Sequence, residues 1–113
     1  MTGISSLLAM AGGSAAAPPS PLTASAAPTT ETWTYDGGLG YYVSGDVTAT
    51  PSGGTTPYTY AWERVSGDVT AGAIGPTSAV TPFASSFGTT TVFKCLVTDS
   101  LGVTAYTNNC SIS

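Results

Sequence analysis

The sequence contains no histidine, only 2 basic residues and, at 7% charged residues, very little charge of any kind. The missing imidazole removes the commonest general base and the commonest metal ligand, so most hydrolytic and metal-assisted mechanisms have nothing to run on. Two cations against 6 acidic residues give a net charge of −4, which repels phosphate backbones and argues against nucleic-acid binding. Glu, Lys, Arg and Gln are nearly absent, and with them the usual residues of solvated helix faces. The apolar run at the start of the chain is far too short to cross a bilayer. From these absences we expect a chain that is not an enzyme, uses no cofactor and binds neither nucleic acid nor membrane.

What remains is a vocabulary of strands and turns. The 113 residues include 14 Gly and 8 Pro among many Thr, Ser and Ala, a length that holds one core. From Met1 to Thr30 there is no charged and no aromatic residue, and Ser14 to Pro28 is almost wholly Ala, Pro and Ser. Such a stretch builds no core of its own, and its prolines favour extended geometry. The division predicted on these grounds is an anchoring arm over residues 1–31 and a folded domain over 32–113, where every aromatic residue lies. A secretory signal is the alternative for the first residues, supported by small residues at Ala15-Ala16-Ala17 and opposed by the absence of a basic segment ahead of the apolar run.

Gly, Pro, Asp and Asn punctuate residues 32–113 at intervals suited to an all-β sandwich or barrel, with no helical period in competition. Seven strands are predicted, over residues 32–35, 41–49, 58–65, 69–74, 79–84, 90–98 and 103–112. Tyr58, Tyr60 and Trp62 share one parity and should face inward, with Trp62 as the chief core residue. Lys94 needs solvent, which turns Phe93, Cys95 and Val97 inward. A symmetric hairpin about Asp99 to Gly102 then places Tyr106 opposite Cys95 and sends Tyr106, Cys110 and Ile112 inside. Asn108 would also point inward, so a bulge is expected near Asn108-Asn109.

A central-strand Trp, an aromatic-x-Cys-x-Val strand and a tight Asp-Ser-x-Gly hairpin resemble the immunoglobulin-like sandwich. Gly53-Gly54-Thr55-Thr56-Pro57-Tyr58-Thr59-Tyr60-Ala61-Trp62 and Val97-Thr98-Asp99-Ser100-Leu101-Gly102 resemble more closely the polycystic-kidney-disease (PKD) type of module. Trp62-Glu63-Arg64-Val65-Ser66-Gly67-Asp68 replaces that family's Trp-Asp-Phe-Gly-Asp-Gly, a departure similar to the divergent modules of tailed-bacteriophage structural proteins. The resemblance implies a non-enzymatic accessory protein of the virion, assembled in the host cytoplasm. Its first expected role is capsid decoration, with residues 1–31 anchored to capsid or tail subunits and room for self-association. A tail or collar component is the near alternative. A secreted carbohydrate-binding or adhesive module and an enzyme-associated spacer are the rivals from other classes.

No residue is assigned a catalytic, cofactor-binding or metal-binding role. The predicted hairpin puts Cys110 about four residues out of step with Cys95, too far for a disulfide, whose Cα atoms lie within about 7 Å. Both are therefore expected to be buried free thiols. Asp36, Asp46, Asp68 and Asp99 stand in turn-like sequence, where Asp bonds nearby backbone, and their spacing matches no calcium loop. Glu63 and Arg64 should point to opposite faces, with the Arg64 guanidinium solvated. Gly37-Gly38-Leu39-Gly40 reads as a joint and not a phosphate loop. Asn109-Cys110-Ser111 matches a glycosylation triplet only formally. Tyr35, Tyr41 and Tyr42 are candidates for an exposed ledge facing a sugar or a partner.

Overall fold

Alternating small and apolar residues between glycine and proline breaks form short strands and no helix among the described residues, which in this computed structural model are 20–113. In chain order the strands are β1 (Thr23–Ala27), β2 (Thr30–Glu31), β3 (Thr34–Asp36), β4 (Tyr41–Val43), β5 (Val47–Ser52) and β6 (Thr59–Ser66). They continue as β7 (Gly72–Ala73), β8 (Val80–Thr81), β9 (Phe83–Ser85), β10 (Thr91–Thr98), β11 (Thr104–Tyr106) and β12 (Cys110–Ile112). The fold is all-β and sandwich-like.

One layer is centred on β10, which pairs with β6 along one edge and with β11 and then β12 along the other; β2 adds in parallel to β12. The second layer is one interrupted ladder. β4 pairs with β9 and β5 with β8, while β1 flanks β5, β3 flanks β4 and β7 flanks β9. The stretch 41–49 predicted as one strand is thus split at Ser44–Asp46, opposite Pro82, which has no N–H to give to a ladder. The Ser44 amide and the Phe83 carbonyl close the gap at 2.9 Å, and the Ser44 hydroxyl accepts from the Phe83 amide at 3.0 Å.

The layers meet on Phe83. Its ring stacks on Phe93 at 4.2 Å between centroids and receives Trp62 edge-on at 5.4 Å. Around these rings lie Val47 and Ala49 from one layer and Cys95, Val97, Cys110 and Ile112 from the other, all buried. Each fully buried Phe, Val or Ile is worth about 1.5–3 kcal/mol of transfer free energy. The inward parity predicted for Trp62, Phe93, Cys95 and Val97 is observed, with Tyr58 and Tyr60 partly buried beside them.

Two expectations are corrected. The first is the arm: residues 1–19 lie outside the described residues, but residues 20–31 belong to the sheets. Ala26 is buried and Leu22 and Ala24 pack on the core, while β1 pairs with β5 from Thr23↔Ser52 to Ala27↔Thr48. Composition shows that this stretch cannot build a core; it does not show that an edge strand needs only backbone and methyl groups once others have built one. Entry is eased by Gly53 and Gly54, both at positive φ, 72° and 64°. A Cβ on Gly53 would strike the Pro21 carbonyl, and the Gly54 amide donates to the Ser20 carbonyl at 2.8 Å.

The second correction is the hairpin register. Tyr106 lies opposite Leu96, not Cys95, and is 49% exposed. Its ring lies under the Lys94 ammonium at 3.8 Å, a cation–π contact worth about 0.5–1 kcal/mol at an exposed position. Thr107 takes the inward place, its amide donating to the Cys95 carbonyl and its hydroxyl accepting from the Cys95 amide, both at 2.9 Å. The strand then breaks over residues 107–109, near the expected bulge, and resumes with Phe93↔Cys110. The one-residue slip restores the inward parity of Cys110 and Ile112, which are buried as predicted. Asn108 turns outward and grips β1: its Oδ1 accepts from the Ala26 amide at 2.9 Å and its Nδ2 donates to the Ala26 carbonyl at 3.1 Å.

Trp62 is 8% exposed and its Nε1 donates to the Ser78 carbonyl at 2.7 Å. Trp62→Ala is expected to cost about 3–5 kcal/mol through the cavity it leaves, measured by urea unfolding with near-ultraviolet circular dichroism. A loss under about 1 kcal/mol would be the size of a surface change and would contradict this packing.

Candidate functional site

The Asp36-Gly37-Gly38-Leu39-Gly40 turn is built by local chemistry. Asp36 Oδ1 accepts from the amides of Gly38 and Leu39 at 2.9 and 3.0 Å, and the Gly40 amide donates to the Asp36 carbonyl at 2.8 Å. The turn sets β3 against β4 with Tyr35 opposite Tyr42, their rings edge to face at 5.2 Å. Tyr42 also packs over Gly88, whose positive φ of 66° and missing Cβ leave room for the ring. Tyr41, of opposite parity, turns to the other face.

There Tyr41 borders an open concavity of about 220 Å³, lined further by Thr70, Ala84, Ser85 and Ser86. Pairing of Gly72 with Ala84 gives a smooth neighbouring floor. The lining is uncharged and rich in hydroxyls. Exposed apolar side chains stand on loops at this end of the sheet, Val69 at 79%, Phe87 at 67% and Leu39 at 54%, with Tyr35 at 57% on the opposite face of the hairpin.

Behind the concavity, the buried Asp68 carboxylate ties its own loop to the end of β9. Its Oδ1 accepts from the Thr70 amide at 2.8 Å and the Thr70 hydroxyl at 2.7 Å, and its Oδ2 accepts from the Ser85 hydroxyl at 2.5 Å. Ser85 Oγ in turn accepts from the amides of Phe87 and Gly88 at 3.2 and 2.9 Å, and the Ser86 amide donates to Thr70 Oγ1 at 3.1 Å. The Ser85 hydrogen bond, outweighing desolvation, holds the Asp68 carboxyl below the usual carboxylate range. An Asp and a Ser without an imidazole make a loop clamp; the Ser85 hydroxyl is spent on holding backbone amides.

Asp99 does the same work at the opposite end. Its Oδ1 accepts from Leu101 and Val103 at 2.9 Å each and its Oδ2 from the Thr55 amide at 3.1 Å. Turn chemistry therefore describes Asp36, Asp68 and Asp99, while Asp46 is exposed between β4 and β5. The partnership of Asp68 with Ser85 was not legible from sequence, since 17 residues separate them and no motif links them.

Cys95 and Cys110 are buried free thiols, and burial pushes both up from the usual thiol range. The expected spacing is corrected with the register: Cys110 faces Phe93, so it is two residues out of step with Cys95 and not four. Glu63 lies opposite Lys94 across β6 and β10, and a hydrogen bond to Glu63 raises the Tyr106 hydroxyl above the usual phenol range. Arg64 is exposed at the register shift beside Phe93. Asn109 of the formal glycosylation triplet is exposed, next to buried Cys110. Among the described residues no three of His, Cys, Asp and Glu converge on a common point.

The depressed Asp68 carboxyl contributes stability that is present above its unfolded-state pKa and lost as pH falls through the lower folded-state value. Acid titration of Tm should therefore show wild type losing stability below the usual carboxylate range. Ser85→Ala should start lower at neutral pH and fall less steeply, so that the curves converge in acid; parallel curves would remove Ser85 as the cause.

Compared with protein families, curated proteins and solved structures, the chain has no match.

Proposed function

We propose that the protein is a non-enzymatic structural module of a tailed-bacteriophage virion, of the immunoglobulin-like PKD type, most simply a capsid decoration protein. The observation that carries this reading is the opposition of its two ends. The described chain enters at Ser20, against the β5–β6 turn and the β10–β11 turn, where Gly54 holds Ser20 and Asp99 holds Thr55. The tyrosine hairpin, Val69 and Phe87 stand at the other end, beyond the far ends of β6 and β9. A module tethered at its entry presents the end with the tyrosine hairpin, Val69 and Phe87 outward, and the carboxylates of Asp68 and Asp99 are both taken up in hydrogen bonds that hold loops. The sequence resemblance supplies the virion setting, and the central Trp62 packed on a facing Phe83 is in keeping with it. A tail or collar position uses the same geometry.

The partner surface is assigned to the segment ahead of Leu22, since the rest of the expected arm is committed to β1 and β2. Full-length protein should co-sediment with purified tailed-phage capsids, or with tails for the alternative, whereas a chain lacking residues 1–19 should stay in solution and keep its Tm. Binding should vary little with salt, because that segment has no charge to screen. Full binding by the truncated chain would move the anchor to the folded body.

The concavity at Tyr41 favours a second reading as a module that binds neutral carbohydrate, since a phenol face and hydroxyls suit a sugar ring and offer nothing to an ion. Titration with neutral oligosaccharides, followed by intrinsic fluorescence, should then give saturable binding that Tyr41→Ala abolishes. No saturable change with wild type, or one unaffected by Tyr41→Ala, removes this reading.

A further inference from the structure

Strand β1 differs from the rest of its layer in how it is recognised. Ala26 is its one buried side chain, with Leu22 and Ala24 partly buried. The rest that holds it is mostly main chain or amide: the five-residue ladder to β5, the two hydrogen bonds between Asn108 and Ala26, and the Gly54 amide on Ser20, with a hydroxyl bond from Thr23 to the Ser52 carbonyl at 3.5 Å. The slot between β5 and Asn108 therefore reads a backbone and a methyl-sized side chain.

Its connection to the body is equally slight. Only Pro28 and Thr29 separate β1 from β2, which is paired with β12 in the other layer. Of the two, Thr29 is held by β12, its carbonyl accepting from the Ser111 amide at 2.9 Å; a change of conformation there and at Pro28 would lift β1 away and leave the pairing of β2 with β12 in place. The slot cannot remain empty at low cost, because loss of β1 bares the edge amides of β5 and takes Ala26 from beside its buried partner Ala49. Residues 20–30 and all of β5 are uncharged, so a seam made from them adds no like-charge repulsion between two acidic chains.

We propose that β1 is an exchangeable strand, and that the slot between β5 and Asn108 accepts Thr23–Ala27 of a second copy of this chain. The intrachain and interchain forms make the same contacts and differ only in the conformation of residues 28 and 29 and in the entropy of association, so concentration sets the balance. On the surface of an assembly, where copies are crowded, the interchain form is favoured. The occupant follows from identity: a second copy reproduces the ladder register, the Asn108 clasp and the Ala26 contact without any new complementarity.

The test uses Ser25 and Thr50, Cα partners across β1 and β5 whose side chains both face outward. Chains carrying Ser25→Cys and chains carrying Thr50→Cys are mixed, unfolded and refolded together at high concentration, separated by size and then oxidised. The buried Cys95 and Cys110 stay in place. A dimer fraction is expected in which the two chains are disulfide-linked through the substituted positions. Its yield should be at least about a hundredfold above a control mixture of Ser25→Cys with Thr77→Cys, the advantage of a held pair over random encounter. Asn108→Ala should leave that linkage and make exchange between folded chains faster, since it removes the clasp from both forms. A purely monomeric product overturns the proposal, and so does a dimer whose cross-linking does not exceed the control.

Discussion

The contact between Phe83 and Phe93 is the constraint on which the other elements depend. With almost no charge and no helix among the described residues, the two layers have little to hold them in register except the shapes of their inward faces, and Phe83 is the side chain that reaches across. Trp62 closes its other side and hangs from the Ser78 carbonyl by its indole nitrogen. Removing water from these rings is worth more than any surface pair in the molecule could supply. Their positions fix how β6, β9 and β10 face each other, and so where the loops at each end emerge.

Polar side chains then do the work that charges do elsewhere. Asp36, Asp68 and Asp99 each accept from two or more donors, backbone amides for Asp36 and Asp99 and one amide with two hydroxyls for Asp68, which ties the loops down. Ser44, Thr107 and Asn108 stand in for rungs of broken ladders. Buried amides left unpaired would cost about 1–3 kcal/mol each, so these substitutes are what permits strands as short as two residues. The same economy leaves the concavity beside Tyr41 lined by uncharged side chains, a phenol, hydroxyls and a methyl group on which a neutral partner can settle.

Strand β1 illustrates where reasoning from composition stops. A run of Ala, Ser and Thr after prolines has no means of forming a core, and that remains true of it in isolation. In the folded chain it needs no core, because β5 offers a ladder, Gly53 and Gly54 leave space for its approach, and Asn108 binds Ala26 from the other side. The offer is made by residues 21 to 82 positions away, and nothing within residues 20–27 announces it.

Local order was legible for the same reason that distant pairing was not. Alternation identified the inward faces of β6 and β10, since side chains on a strand alternate whatever it pairs with. The aspartate turns were legible because the bonds to Asp36 and those to the Oδ1 atoms of Asp68 and Asp99 close within four residues. The hairpin register, the break at Pro82, the Asp68–Ser85 clamp and the concavity beside Tyr41 required the tertiary structure, because each depends on which segments meet. A slip of one residue at Asn108–Asn109 reverses the faces that alternation alone would assign to everything on one side of it. By itself the sequence determined a charge-poor all-β chain with Trp62, Phe93, Cys95 and Val97 inside; the packing of Phe83 between layers decided which segments meet, which ends are open and which strand is held mainly by its backbone.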